Sequence, residues 1–164
     1  MEVKTLFLLF SLLSISCSHS TIPSEPRDIN LKFSYGVNAR NFLNTFQNTY
    51  TKDLISSGDT TVPFTLSATD LNQILSKMNE INFFSYPDTF IVPTGDTVSI
   101  VMPFSTYNFE VSYKLVNKHL FWRDEIMNES VQATKLRELI VLIEVIIQSN
   151  PEYSKLPPAQ GGYQ

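Results

Sequence analysis

Few residues in this chain have the type and spacing to do chemistry, and most of them stand apart from one another. Asp124, Glu125 and Glu129 form the densest acidic group. Two carboxylates held about 5–9.5 Å apart in a cleft can hydrolyse a glycosidic bond. Acids just ahead of a helix also have a plainer use, because they complement the positive end of its dipole. That structural role is the one expected here. His19 and His119 are the only histidines. Nucleophilic catalysis needs a base oriented by a third group, and neither histidine lies in such a motif. His19 falls in a polar linker and His119 beside an expected hairpin turn. One cysteine and two histidines cannot build the usual zinc sets. No acidic calcium loop is present. Gly58, Gly95 and the pair Gly161-Gly162 fit neither a phosphate loop nor a dinucleotide fingerprint. No catalytic residue, metal ligand or cofactor is assigned.

Cys17 is the only cysteine, and its position is informative. It ends an apolar run from Leu6 to Ile15 that opens after Lys4. A spanning helix needs about 20 apolar residues, whereas a signal-peptide core needs about 7–15. Residues 1–16 therefore read as a secretory signal peptide. The segment Leu13-Ser14-Ile15-Ser16-Cys17 resembles the lipid-attachment site of bacterial lipoproteins, with Ser14 where that pattern has Leu. The resemblance implies acylation of Cys17, such as by palmitate, and a membrane-anchored place in the cell envelope. A secreted domain with one cysteine has no disulfide partner, which agrees with a modified thiol. An ordinary cleaved signal peptide and a buried N-terminal element of a cytosolic protein are the competing readings.

The elements that would position any site follow from the hydrophobic pattern. Residues 17–28 carry Pro23 and Pro26 among polar residues and read as a flexible tether. Residues 29–156 form one domain, and 157–164 an irregular tail. The net charge of −4 argues against nucleic-acid binding, which needs clustered Lys and Arg. Ile29, Leu31, Phe33, Tyr35 and Val37 alternate with polar residues and predict a half-buried strand. A second strand is expected through Phe46, Asn48, Tyr50 and Leu54, and a third through Val62, Phe64 and Leu66. Ser67 followed by Asp70 resembles a capping box, and Leu71, Ile74, Leu75, Met78 and Ile81 form a helical stripe. A long loop from Phe90 to Tyr107 includes a short strand at Val98–Met102. Tyr107, Phe109, Val111, Tyr113 and Leu115 alternate clearly, Asn117-Lys118 reads as the turn, and Leu120–Trp122 as the return strand. A last helix from about Ser130 to Ser149 is apolar nearly all round, so it is expected to be buried. The order is strand, strand, strand, helix, twice over. The fold class is α+β, a mostly antiparallel sheet of five to six strands with two helices on one face.

Trp122, Arg123, Phe90 and Tyr107 are candidates for a partner-binding surface, although Trp122 as an inward strand residue reads first as core. The apolar loop from Phe90 to Tyr107 either packs back on the core or meets a partner; packing back is expected. Asn128-Glu129-Ser130 matches a glycosylation sequon but carries no meaning in a bacterial lipoprotein. Three segments together resemble an uncharacterised family of bacterial lipoproteins: Thr49-Tyr50-Thr51-Lys52-Asp53-Leu54, Phe83-Phe84-Ser85-Tyr86-Pro87 and Leu156-Pro157-Pro158-Ala159-Gln160-Gly161-Gly162-Tyr163. The resemblance implies an envelope address and an α+β domain, and no reaction. The expected function is a non-enzymatic, envelope-anchored module that binds a protein or glycan. A lipid-anchored hydrolase using Asp124 and Glu129 is the alternative, as is an inhibitor of a secreted enzyme acting through residues 87–97.

Overall fold

The computed structural model describes residues 29–163. The expected signal peptide, Cys17, His19 and the expected tether lie outside the described residues. The chain order is β1 (Ile29–Tyr35), β2 (Asn41–Asn44), β3 (Thr49–Asp53), β4 (Asp59–Pro63), α1 (Ala68–Glu80), β5 (Thr89–Phe90), β6 (Thr106–Tyr113), β7 (Val116–Arg123), α2 (Val131–Ser149) and α3 (Pro151–Ser154). The strands form one sheet in the order β4-β3-β2-β1-β6-β7-β5. Neighbours are antiparallel except β5, which runs parallel to β7. The α+β class and the mostly antiparallel sheet are as expected. Among the described residues there are seven strands and three helices rather than five to six and two.

Alternation decides which face of the sheet is covered. On β1, Ile29, Leu31, Phe33 and Tyr35 are buried and the residues between them are not. They meet Phe109 and Val111 of β6 and Leu120 and Trp122 of β7 in a single core. Two helices close that core. α1 contributes Leu71, Ile74 and Met78, and α2 contributes Leu136, Leu139, Ile143 and Ile147 among others. Burying each such side chain contributes about 2 kcal/mol. The capping box of α1 is present. Ser67 Oγ accepts from the Asp70 amide at 3.1 Å, and the Asp70 carboxylate accepts from the Ser67 amide at 2.9 Å.

Four expectations are corrected. The strand expected across Phe46 to Leu54 begins only at Thr49, as β3, because residues 45–48 form the turn that joins it to β2. Asn44 Oδ1 accepts from the Phe46 and Gln47 amides, and Asn48 takes the left-handed conformation. Asn commonly sits at such positions because its side chain substitutes for backbone pairing. The β6–β7 turn is Lys114-Leu115, with Lys114 at φ 53°, not Asn117-Lys118. A turn centred on 117–118 would set Val111 opposite Asp124. The observed register sets Phe109 opposite Leu120 and Tyr107 opposite Trp122, which keeps one face apolar. His119 accordingly lies within β7, opposite Glu110, rather than beside a turn. Val98–Met102 is not a strand; Ile100 makes only an isolated bridge with Ile126. Finally, α2 is not buried all round. Val131, Val141 and Val145 face outward because the sheet covers only one side of the helix.

The chain end is tied down. Pro151 stops α2 and opens α3, where its fixed φ suits the first helical position. Leu156 is buried, and Gln160 then pairs in parallel with Ile55. The Gln160 amide donates to Leu54 O at 3.2 Å, and the Ser56 amide donates to Gln160 O at 3.1 Å. Tyr163 donates its hydroxyl to the buried Asp53 carboxylate, which also faces Arg40 Nε at 3.5 Å. Gly161 sits at φ +91°, and a Cβ there would lie 2.4 Å from Ser56 Oγ. Gly162 has open space around it. Gly161→Ala is therefore expected to cost about 1–2 kcal/mol and Gly162→Ala less than about 0.5 kcal/mol. Urea unfolding midpoints of the two variants check this, and equal midpoints would contradict the tail contacts.

Candidate functional site

The acidic group after β7 is divided between two arginines. Asp124 accepts from Arg137 Nε at 2.9 Å and from Arg137 Nη2 at 2.6 Å, a two-pronged pair. The hydrogen bond to Asp124 holds the Arg137 guanidinium above its ordinary range. The same guanidinium lies 5.3 Å from the Trp122 ring centre. Glu125 accepts from Arg123 Nη2 at 2.9 Å. Glu129 lies in an open groove ahead of α2 with Lys135 and Glu138. Both Asp124 oxygens are occupied by one guanidinium, so Asp124 is unsuited to attack a sugar or activate water. His119 lies on the outer sheet face beside the Lys32–Glu110 ion pair. Among the described residues, no group of three or more His, Asp or Glu is placed to hold a metal.

Of the four partner-binding candidates, the structure leaves only Arg123 at the surface. Trp122, Phe90 and Tyr107 are buried. Their rings pack together, with Phe90 5.4 Å and Tyr107 5.5 Å from Trp122 between centroids. Phe90 and Tyr107 are thereby corrected, while Trp122 takes the core position expected of an inward strand residue, set by the period of two along β7. Leu120 and Trp122 point inward, while Phe121 and Arg123 point outward. Arg123 lies 4.8 Å from the Phe104 ring centre, a cation–π distance.

The surface that does expose apolar side chains follows β5. Val92 enters the core, but residues 93–103 are all exposed. Ile91, Ile100 and Met102 are 69%, 63% and 74% exposed, and Val98 and Met127 are about half exposed. The segment is nonetheless held in place. Val101 donates to Glu125 O at 2.9 Å and Met127 to Ser99 O at 2.8 Å. Asn128 donates to Thr97 O and accepts from the Ser99 amide. The sequon asparagine is thus a clamp for this loop. A cleft of about 210 Å³ opens beside it, lined by Thr89, Ile91, Phe121, Arg123, Glu125 and Ile126 among others. The expectation that this loop packs back on the core holds for Val92 but not for Ile91 or for residues 93–103. Its backbone hydrogen bonds go to residues 125–128, and Phe90, Trp122 and Tyr107 already fill the core beneath. Contiguous exposed apolar side chains of this kind mark interaction sites. The run of apolar residues was visible in the sequence, but nothing there showed which side of the loop the core would accept.

A second cluster is internal. The Tyr35 and Tyr50 hydroxyls share a hydrogen bond of 2.6 Å. Burial pushes both phenols up, and the neighbouring Glu144 of α2 adds to that shift. Burial also pushes the Glu144 carboxyl above its ordinary value. Phenols raised in this way keep their protons at neutral pH, so the pair acts as a hydrogen-bonded part of the core.

Comparison with known protein families, with characterised proteins and with solved structures finds no match to this chain. Among the described residues no helix is long and apolar enough to cross a membrane.

Two outcomes follow from these ion pairs and buried acids. Arg137→Met strands the mostly buried Asp124 carboxylate and is expected to cost about 2–3 kcal/mol. The double variant Asp124→Ala/Arg137→Met is expected to lose less than the sum of the single losses; strict additivity in a denaturation cycle would refute the coupling. Glu144 has its folded-state titration raised above the unfolded one, so it binds its proton more tightly when folded. Its contribution to stability is full at low pH and is lost as pH rises from about 4.5 through the raised range. Glu144→Gln should therefore gain stability relative to the parent between about pH 4 and pH 7, and pH-resolved unfolding midpoints that stay parallel would count against it.

Proposed function

We propose that this chain is an envelope-anchored, non-enzymatic module that presents the 91–104 loop to a protein partner. The anchor in this reading is a lipid on Cys17, after export by residues 1–16. The observation that carries it is the exposed set Ile91, Val98, Ile100 and Met102 on a segment held by backbone hydrogen bonds. A loop ordered before binding loses less conformational freedom on association than a mobile one.

The polarity of the sheet supports the same reading. β1 begins at Ile29, which pairs with Tyr113 at one end of β6. The 91–104 loop and Arg123 lie at the other end, beside Thr106. Eight residues of β6 at about 3.4 Å each separate these ends by about 24 Å. A domain tethered by the segment before Ile29 would hold the loop away from its own membrane. Protein fits this surface better than glycan, because sugar stacking uses exposed aromatic platforms and Trp122 is buried. An inhibitor of a secreted enzyme is a special case of the same surface. The hydrolase reading is disfavoured by the Asp124–Arg137 pair.

A photoreactive amino acid in place of Ile100 tests this in envelope membranes. One discrete adduct is expected from position 100 and none from the exposed Gln73 of α1. Ile91→Ser with Met102→Ser should abolish that adduct. Equal adducts from both positions, or none from position 100, would refute the reading.

A further inference from the structure

We infer that the β6–β7 hairpin tip, Lys114-Leu115-Val116, rests on the surface of a phospholipid bilayer. The inference goes beyond the partner surface above and rests on the reading that Cys17 is held at a membrane. Leu115 is 100% exposed and Val116 about half exposed. Turns of this tightness favour Asn, Asp or Gly, so a leucine fully in water is not explained by turn chemistry. Around the tip are the residue types found at membrane interfaces, where aromatic rings and Lys flank apolar groups. Lys114 Nζ lies 5.2 Å from the Tyr113 ring centre. Tyr113 in turn packs against Phe84, with centroids 6.2 Å apart. Of the acids towards this end, Glu110 pairs with Lys32 at 2.7 Å and Asp88 with Lys118 at 2.6 Å.

What commits the tip to lipid is where the chain enters the domain. Ile29 pairs with Tyr113, and Leu115 lies only two residues beyond it. The entry point and the tip are thus separated along the strand direction by about 7 Å. β1 runs away from this end, so its first residue, Ile29, lies on the same side of the sheet as the tip. The segment between Cys17 and Ile29 can span at most about 40 Å when extended. A membrane holding Cys17 is within reach of Leu115, and the end of the sheet that bears the tip is the end nearest to it.

The test uses the mature chain, residues 17–164, coupled through its single thiol to a maleimide-headgroup lipid. The vesicles contain phosphatidylethanolamine and phosphatidylglycerol. Trp122 is wholly buried and supplies a constant background. Leu115→Trp adds a second indole at the tip and Met102→Trp one at the far loop. With brominated acyl chains, the added emission at 115 is expected to fall at least about twofold, and that at 102 to stay unchanged. No quenching at 115, or equal quenching at both positions, would overturn the inference. The anchor is supplied chemically, so this result does not depend on acylation of Cys17 in cells or on partner capture by the loop.

Discussion

Phe33 and Phe109 face each other across β1 and β6 with ring centroids 4.6 Å apart, and both are wholly buried. This pairing sits at the centre of the sheet, with β2–β4 on one side and β7–β5 on the other. A slip of β6 by one residue against β1 would turn Phe109 and Val111 to solvent and Asn108 and Glu110 to the core. The two helices can cover only the face this register makes apolar. Everything placed at the rims of the sheet follows from it.

The outer face carries paired polar side chains. Lys32 meets Glu110 at 2.7 Å, and Thr51 meets Thr61 at 2.7 Å. Pairs of this kind contribute little each, so the inner face dominates stability. At the rim near Arg123, the core is completed by Phe90, Tyr107 and Trp122, over which Arg137 is clamped by Asp124. Val92 joins that core, while Ile91 and residues 93–103 stay outside it. The backbone of that outer stretch takes its partners from residues 125–128.

Much of the architecture was legible in the chain. The alternation of β1 and of β6, the capping box at Ser67 and the stripe of α1 are local patterns, and the structure keeps each of them. The β2–β3 turn was harder to see, because Asn44 and Asn48 act through side-chain bonding and positive φ rather than through Gly or Pro. The β6–β7 turn was misplaced for a related reason. Lys114 adopts an unfavoured conformation that the surrounding strand pairing imposes. Among the candidate site residues, Trp122 as core followed from its inward parity. Phe90 and Tyr107 share that fate because they pack directly on it.

The sequence by itself determined the α+β class, the inward faces of the central strands and the absence of a recognisable catalytic motif, since each depends on residue type and short-range period. It also carried the export reading of residues 1–17. Only the tertiary structure decided that Asp124 and Arg137 form one pair, that the chain end returns to β3, and that residues 93–103 stay outside the core. Those outcomes depend on which distant segments compete for the same space and the same hydrogen bonds, and that competition has no signature in local periodicity.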